Sequence, residues 1–457
     1  MALDISQTLR TDGEGAPVMP KTQHARSSSE LQEAWPALSP DERLQHFNQL
    51  PRADAEEFFL SLNAFDQAAL LLALPSRERR LWMRLLAPDD AADLIQEVPP
   101  DTREALLALL DEPTRIEVMA LLAYAEDEAG GLMSPRYARV RPDMRVDEAI
   151  SYLRRQAREQ LETIYYAYVL DAQQRLLGVV SFRELFGASG EKHVREVMRT
   201  DVVTISEQLD QEAVSLLFAQ HHLMALPVVD ASGQMKGIVT VDDIVDVVQE
   251  EATEDIQKIG GMEALDGPYL HISFAHMVRK RAGWLSALFL GEMLTATAMG
   301  YYEREIARAV VLALFIPLII SSGGNSGSQA STLVVRAMAL GEVRLRDWWR
   351  VIRREIAAGL ALGAVLGGIG LLRILLWPAR ASVYGEHYVL VALTVACSLV
   401  GVVLFGTLAG SMLPFILRRL GFDPASASAP FVATLVDVTG LVIYFTVAMV
   451  ILRGVLL

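Results

Sequence analysis

The stretch from Pro424 to Leu452 contains one charged residue, Asp437; the nearest charges outside it are Asp423 and Arg453. A helix of roughly 20 apolar residues spans a bilayer, so the stretch reads as a membrane span with a carboxylate inside it. A charge at that depth costs at least ~2.5 kcal/mol on insertion scales. Thr434, Thr439 and Gly440 around it are small or polar, which is not how an isolated lipid-facing helix is built. Asp437 therefore reads as facing a water-filled path, with the rest of the chain as the wall and gate of that path.

Other apolar stretches share this pattern: about 282–302, 308–335, 356–377 and 387–417, with 430–452 as the last. Arg279-Lys280-Arg281 precede the first; Arg344, Arg346, Arg350, Arg353 and Arg354 separate the second from the third; Arg418-Arg419 separate the fourth from the fifth. Basic loops stay on the cytoplasmic side. Five spans then place the N-terminal half inside, the Arg380–Glu386 connection outside and the C-terminus outside. Val343–Arg354, with Trp348 and Trp349 among arginines, suggests an interfacial helix. Gly359, Gly363 and Gly367, and likewise Gly406 and Gly410, have the spacing of close helix contacts. The second span is unusual. After Phe315–Ile320 it runs through Ser321-Ser322-Gly323-Gly324-Asn325-Ser326-Gly327-Ser328-Gln329. So polar a run persists at membrane depth only within protein or beside water. Its glycines suit close packing or freed carbonyls, and Asn325 and Gln329 share a face. A polar packing seam is the alternative. Glu292 is a second intramembrane carboxylate, either lining the path or paired with a hydroxyl.

The first 270 residues hold 47 of the 56 acids and 25 of the 41 bases. So acidic a half is a poor nucleic-acid binder and a plausible cation binder. The single cysteine, Cys397, excludes a disulfide within one chain. Residues 1–30 lack an apolar signal core and read as a disordered tail. Residues 31–130 read as short amphipathic helices divided at Leu50-Pro51, Leu74-Pro75, Ala87-Pro88 and Pro99-Pro100. Pieces this short must stack to bury their faces. Glu57, Asp89 and Asp93 stand out there; Asp89 and Asp93 are i,i+4, a spacing equally suited to a solvated face.

Residues 131–190 and 191–248 repeat one order of elements, with a period of roughly 60 residues. The order is helix, strand, strand, helix: Val146–Arg155, Tyr165–Leu170, Leu176–Ser181 and Phe182–Phe186, then Gln211–Gln220, Leu226–Asp230, Gly237–Thr240 and a helix from Asp242. The stretch LPVVDASGQMKGIVTVDDIVDVV resembles the second half of a CBS-domain pair, a regulatory and non-catalytic module that binds nucleotides or ions. The helix from Asp242 to about Gly260 stacks Asp243, Asp246, Glu250, Glu251, Glu254 and Asp255 at i,i+3 and i,i+4. Each such like-charge pair costs about 0.2–0.5 kcal/mol, unless hard cations with oxygen ligands neutralise it. A solvated face is the alternative.

PLIISSGGNSGSQASTLVVRAMALGEV and LPFILRRLGFDPASASAPFVATLVDVTGLVIYF resemble the signature stretches of MgtE-type magnesium channels, and EEATEDIQKIGG resembles their plug helix. The resemblance runs from about residue 31 to the end. It implies a multidomain α-helical membrane protein: a helical N domain, an α+β CBS pair, a plug or connecting helix over 249–278 and a five-helix pore domain over 279–457. It further implies a cell-membrane homodimer, not an enzyme, that carries Mg²⁺ into the cytosol and is closed by Mg²⁺. Asp437, Asn325, Thr434 and Gly324 would line the path. Glu57, Asp89, Asp93, Asp210, Glu212, Asp243, Asp246, Glu251, Glu254 and Asp255 would hold regulatory Mg²⁺. Some relatives bind ATP in the CBS pair, and Tyr166, Arg183 and Glu184 match or approximate that site. The chain departs from the family at His222-Leu223, where a carboxylate and a stacking aromatic are usual, and at Ser426-Ala427-Ser428-Ala429, which lacks an amide ligand. The rival readings are a carrier of Mn²⁺, Co²⁺ or Ni²⁺, disfavoured because no His or Cys accompanies Asp437, and a membrane-anchored CBS sensor. An anchor needs neither Asp437 nor the polar second span.

Overall fold

The computed structural model describes residues 28–456 except 159, 160, 164, 266, 268 and 271. It separates into two units, one ending at Ala123 and one running from Tyr124 to Leu457. The first unit is a succession of short helices from Ser28–Ala34 to Glu112–Leu121. Its opening helix covers residues 28–30, which the sequence assigned to the tail; residues 1–27 lie outside the described residues. Prolines set the breaks. Pro51 and Pro75 are helix N-caps, and Pro88 and Pro100 begin their helices, where the missing N–H costs nothing. The inward faces bury Leu31, Phe58, Phe59, Leu71, Met83, Leu94 and Ile95. Arg43 is also buried; it pairs with Asp66 at 2.6 Å and donates to the Trp35 carbonyl at 2.9 Å.

The second unit opens with two similar three-stranded sheets. In the first, β1 (Arg139–Val140) is parallel to β2 (Tyr166–Leu170), which is antiparallel to β3 (Leu176–Ser181). In the second, β4 (Ile205–Ser206), β5 (Ala225–Val229) and β6 (Met235–Thr240) repeat that arrangement. Even the register irregularity recurs, between Val169 and Leu170 and between Val228 and Val229. The repeat seen in the sequence is thus a structural one; it missed the two-residue strands β1 and β4 and the four-residue helices Ala129–Leu132 and Val194–Val197, all too short to show a period. Tyr168, Leu170, Met235 and Ile238 form one core cluster across both sheets. The amide of Ser134 donates to the Ile238 carbonyl at 2.7 Å.

The acidic helix, Val241–Ile259, follows β6 directly, and Thr240 and Asp243 close its N-terminus as a capping box. It turns at Gly261, whose φ of +75° suits glycine. The next helix starts at Phe274. The connecting helix expected to reach residue 278 therefore stops at Ile259.

Five helices among the described residues are long and apolar enough to cross a membrane. The first span is Phe274–Tyr301, the second Ile316–Ala339 after a break at Leu314-Phe315, the third Trp348–Leu375, the fourth Tyr388–Arg419 and the fifth Ala429–Ile451. The fourth lies at the centre, burying Val391, Val395, Ser398, Val402, Gly406 and Gly410. A Cβ on Gly363 would come within 2.8 Å of Val400 Cα, and one on Gly367 within 2.8 Å of the Ala396 carbonyl. Gly406 and Gly410 press on the backbone of Gly323 and Gly327 in the second span. The glycine spacing thus marks close helix packing. Contrary to expectation, Val343–Arg354 is no separate interfacial helix. A 3₁₀ turn at Leu345–Asp347 leads straight into the third span at Trp348, because no breaker separates Arg354 from the apolar run.

Candidate functional site

The first span has no buried residue and lies against the fifth. Gly291 makes the approach possible: a Cβ there would lie 2.9 Å from Thr434 Cγ2. One residue on, Glu292 comes within hydrogen-bonding reach of Asp437. Two carboxyl groups from different spans thus meet at membrane depth, an arrangement that needs water, a proton or a cation between them. The sequence singled out both acids, but helical periodicity on each helix cannot say which helices adjoin.

Of the four residues expected along the path, two serve packing. Thr434 abuts Gly291, and its hydroxyl donates to the Pro430 carbonyl at 3.0 Å. Gly324 is buried with its Cβ direction 3.4 Å from Ala433 Cβ. The second span is helical throughout its polar run, so its glycines serve helix contact and do not free carbonyls. The run divides by face. Ser331 donates to the Ala427 carbonyl at 2.7 Å and Ser328 to the Ala429 carbonyl at 3.1 Å, tying the second span to the start of the fifth. Ser321, Asn325 and Gln329, at i,i+4 spacing, are exposed, and Asn325 donates to Ser321 Oγ at 3.4 Å. The packing reading holds for one face of this run, and the other face is exposed. Ser426–Ala429 supplies capping: Ser428 accepts from the Phe431 amide at 3.3 Å and from Trp284 Nε1 at 3.2 Å.

A second acidic assembly gathers where the acidic helix meets helix Gln211–His221. Asp210 caps that helix, accepting from the Glu212 amide at 2.9 Å. Glu251 accepts from Gln211 Nε2 at 2.7 Å. Burial, with Glu251, Asp255 and Asp210 nearby, pushes the Glu212 carboxyl up to about 7. Burial, then Asp423 and Glu251, pushes Asp255 up to about 6. Burial pushes Asp243 up to about 7 despite its hydrogen bond from Thr240 Oγ1 at 2.6 Å. Glu212, Glu251 and Asp255 repel one another where the two helices meet. The donor set is all oxygen, as Mg²⁺ prefers. Asp246 and Glu212 both keep exposed surface, and partial burial, then Asp242, pushes the Asp246 carboxyl up as well.

Two cations reach this assembly: Arg418 lies near Glu212, and Lys258 sits at the end of the acidic helix. Lys258 pairs with Glu254 and, at 2.6 Å, with Asp423 in the loop before the fifth span. Burial alone would lower its pKa, but these two hydrogen bonds outweigh it and raise it. Asp423 also accepts from the Ala425 amide at 2.8 Å, and Gly261 lies against Trp284 and Pro430. The end of the acidic helix is thereby fastened to the residues that start the first and fifth spans.

In the first unit, Asp89 is buried while Glu57 is exposed and Asp93 half-buried; burial of Asp89 departs from a plain solvated face. In the sheet unit, Tyr166 pairs with Ser181 in the β2–β3 register. Glu184 caps the following helix through Ser181 and pairs with Arg199 at 2.5 Å, so it is already engaged, whereas Arg183 is exposed. His222 has a role the sequence did not reveal: it ends helix Gln211–His221 in the left-handed conformation, φ 51°.

Residues 316–447 match a family model described as a divalent cation transporter, 27–127 match the MgtE intracellular N domain, and 129–191 and 194–250 each match the CBS domain. The magnesium transporter MgtE of Thermus thermophilus is 42% identical over 424 residues, covering 92% of each chain. The chain belongs to the MgtE family. It is accordingly a multi-pass membrane transporter with a CBS pair, and not an enzyme. The Bacillus subtilis MgtE is 31% identical over 89% of this chain and 88% of its own. A crystal structure of the cytosolic domain of the Mg²⁺ channel MgtE in complex with ATP shares 43% identity, covering 49% of this chain and 90% of that one at a TM-score of 0.46.

Proposed function

We propose that this MgtE-family chain carries Mg²⁺ into the cytosol through a path lined by Asp437, formed between two copies of the chain. The observation that carries this reading is the meeting of Asp437 and Glu292 on adjacent spans. Mg²⁺ keeps its waters, so the path should offer a hydrated ion a few negative oxygens rather than a full cage. The exposed polar face of Ser321, Asn325 and Gln329 supports a second copy, since such a face at membrane depth requires water or protein beside it. Basic Arg344–Arg354 and Arg418-Arg419 support a cytoplasmic N-terminal half and an external C-terminus.

Asp210, Glu212, Glu251 and Asp255 would hold regulatory Mg²⁺ beside Glu254, with Asp243 and Asp246 further up the helix and Glu57, Asp89 and Asp93 in the first unit. A bound ion supplies charge that offsets their repulsion. The chain's own residues do the rest: the crowded carboxylates spread when charged, and Lys258 and Asp423 link their helix to the spans. An ion that favours one arrangement shifts the population toward it. Flux into liposomes holding the purified protein tests the reading. Mg²⁺ should enter, and raised Mg²⁺ on the side of the N-terminal half should slow it. Uptake of Mn²⁺, Co²⁺ or Ni²⁺ in preference to Mg²⁺ would overturn the assignment of the ion.

A further inference from the structure

The start of the third span carries a second cluster of charged side chains, apart from Asp437 and Glu292. Arg346, Asp347, Trp349, Arg350, Arg353 and Arg354 line an open cavity of about 590 Å³. Four guanidiniums face one carboxylate there. Asp347 is partly occupied already, accepting from the Arg344 amide at 3.1 Å and from Arg350 at 3.4 Å. Glu355 lies beside Arg354 in the sequence. Among the described residues, Arg346 and Arg353 form no ion pair. Guanidinium forks converging on one space fit a phosphate, which they bind with paired charge-assisted hydrogen bonds.

The surroundings say which phosphate. Trp349, Arg353, Ile356 and Leu360 follow one another at i, i+4, i+7 and i+11, so they share one face of the third span. Trp349 is 55% exposed, Ile356 36% and Leu360 45%. The face therefore passes from indole and guanidinium to bare aliphatic surface within a few turns. Trp348 and Trp349 stand edge to face at 5.6 Å, the residue type favoured at the membrane–water boundary. A soluble phosphate would use only the upper end of this face. A molecule with an anionic head and an acyl tail matches its whole length.

We propose that this cavity is a binding site for the headgroup of an anionic phospholipid, with the acyl chain running along Ile356 and Leu360. The proposal stands on the membrane nature of the chain and is independent of which ion is carried. Each Lys or Arg close to an anionic lipid surface contributes about fivefold in partition. Removing three should weaken retention by on the order of a hundredfold.

The test uses the full-length protein purified from nanodiscs made with equal phosphatidylglycerol and phosphatidylcholine, with retained lipid read by native mass spectrometry. Wild type should keep phosphatidylglycerol in preference. The R346Q/R353Q/R354Q variant should lose that preference, and R346K/R353K/R354K should keep part of it. Equal retention of the two lipids by wild type, or unchanged preference in the glutamine variant, would overturn the site. Displacement by millimolar inorganic phosphate would overturn the commitment to a lipid. A photoactivatable phosphatidylglycerol added to wild type gives a readout that needs no variant: labelling within 346–360 supports the site, and labelling confined elsewhere contradicts it.

Discussion

The third and fourth spans and the first and fifth spans are two helix pairs built on opposite terms. Between the third and fourth, glycines at every fourth position bring backbones together, and Gly363 meets Val400 Cα directly. That seam gives stability by dispersion and close packing. Between the first and fifth, one glycine, Gly291, permits contact, and the next residue brings a carboxyl group to Asp437. The first pair closes fully; the second leaves a polar pair that its own chain does not cover. The same division runs along the second span alone, with Gly323 and Gly327 packed and Asn325 and Gln329 open. Tight seams hold the fold and leave open the carboxyl pair that we propose faces the ion.

That contrast can be broken from either side. The largest effect is expected on the packed side. A Cβ at Gly410 runs into the Gly327 carbonyl, and backbone cannot yield as a side-chain tip can. Gly410→Val should therefore cost well over the ~1–3 kcal/mol of ordinary overpacking, leaving little monodisperse protein on size exclusion. A normal yield and elution profile would show that the seam is looser than its geometry. On the open side, Glu292→Gln should leave yield and melting temperature near wild type while lowering Mg²⁺ uptake about tenfold, the value of one charge-assisted contact. Loss of folded protein without a flux defect would make Glu292 a structural partner instead.

The acidic assembly gives a smaller effect, read by pH. Glu212, Asp243 and Asp255 have folded values raised to about 7, 7 and 6, against about 4 in an unfolded chain. Between those values the folded state holds more protons, so stability falls as pH rises from about 4 to above 7. The metal-free protein should melt lower at pH 8 than at pH 5.5, and added Mg²⁺ should recover more at pH 8. Glu212→Gln with Asp255→Asn should flatten both trends. An unaltered pH profile in that double variant would remove these acids from the sensor. The smallest effect concerns His222, held at φ 51°. Glycine is free of that strain, so His222→Gly should stabilise by about 0.5–1 kcal/mol, seen as a rise in melting temperature.

Much of this could be read before any coordinates. Proline positions located the helix breaks of the first unit, since each break costs a backbone donor only inside a helix. The doubled strand–strand–helix order located both sheets, and the spacing of Gly359, Gly363 and Gly367 marked a seam. What remained hidden was relational. Asp437 announced itself as the one charge in an apolar run, yet nothing local names Glu292 as its neighbour. Thr434 and Gly324 have the composition of path residues and are taken up by packing, because a small residue serves both purposes. His222 looked like a substitution in a metal site and is also the left-handed end of a helix. Val343–Arg354 looked interfacial because tryptophan and arginine dominate it, but without a breaker the helix simply continues into the membrane.

The measurement that bears most directly on the account is Mg²⁺ uptake by Asp437→Asn in proteoliposomes, at matched protein density, beside wild type and Asp437→Glu. Asparagine keeps the volume and one oxygen but no charge, and a neutral residue is cheaper to hold in a bilayer. The variant should fold normally and lose roughly 10- to 100-fold in uptake, with glutamate retaining part of the rate. Wild-type uptake by intact Asp437→Asn protein would mean that the ion passes elsewhere and that the pairing with Glu292 is structural.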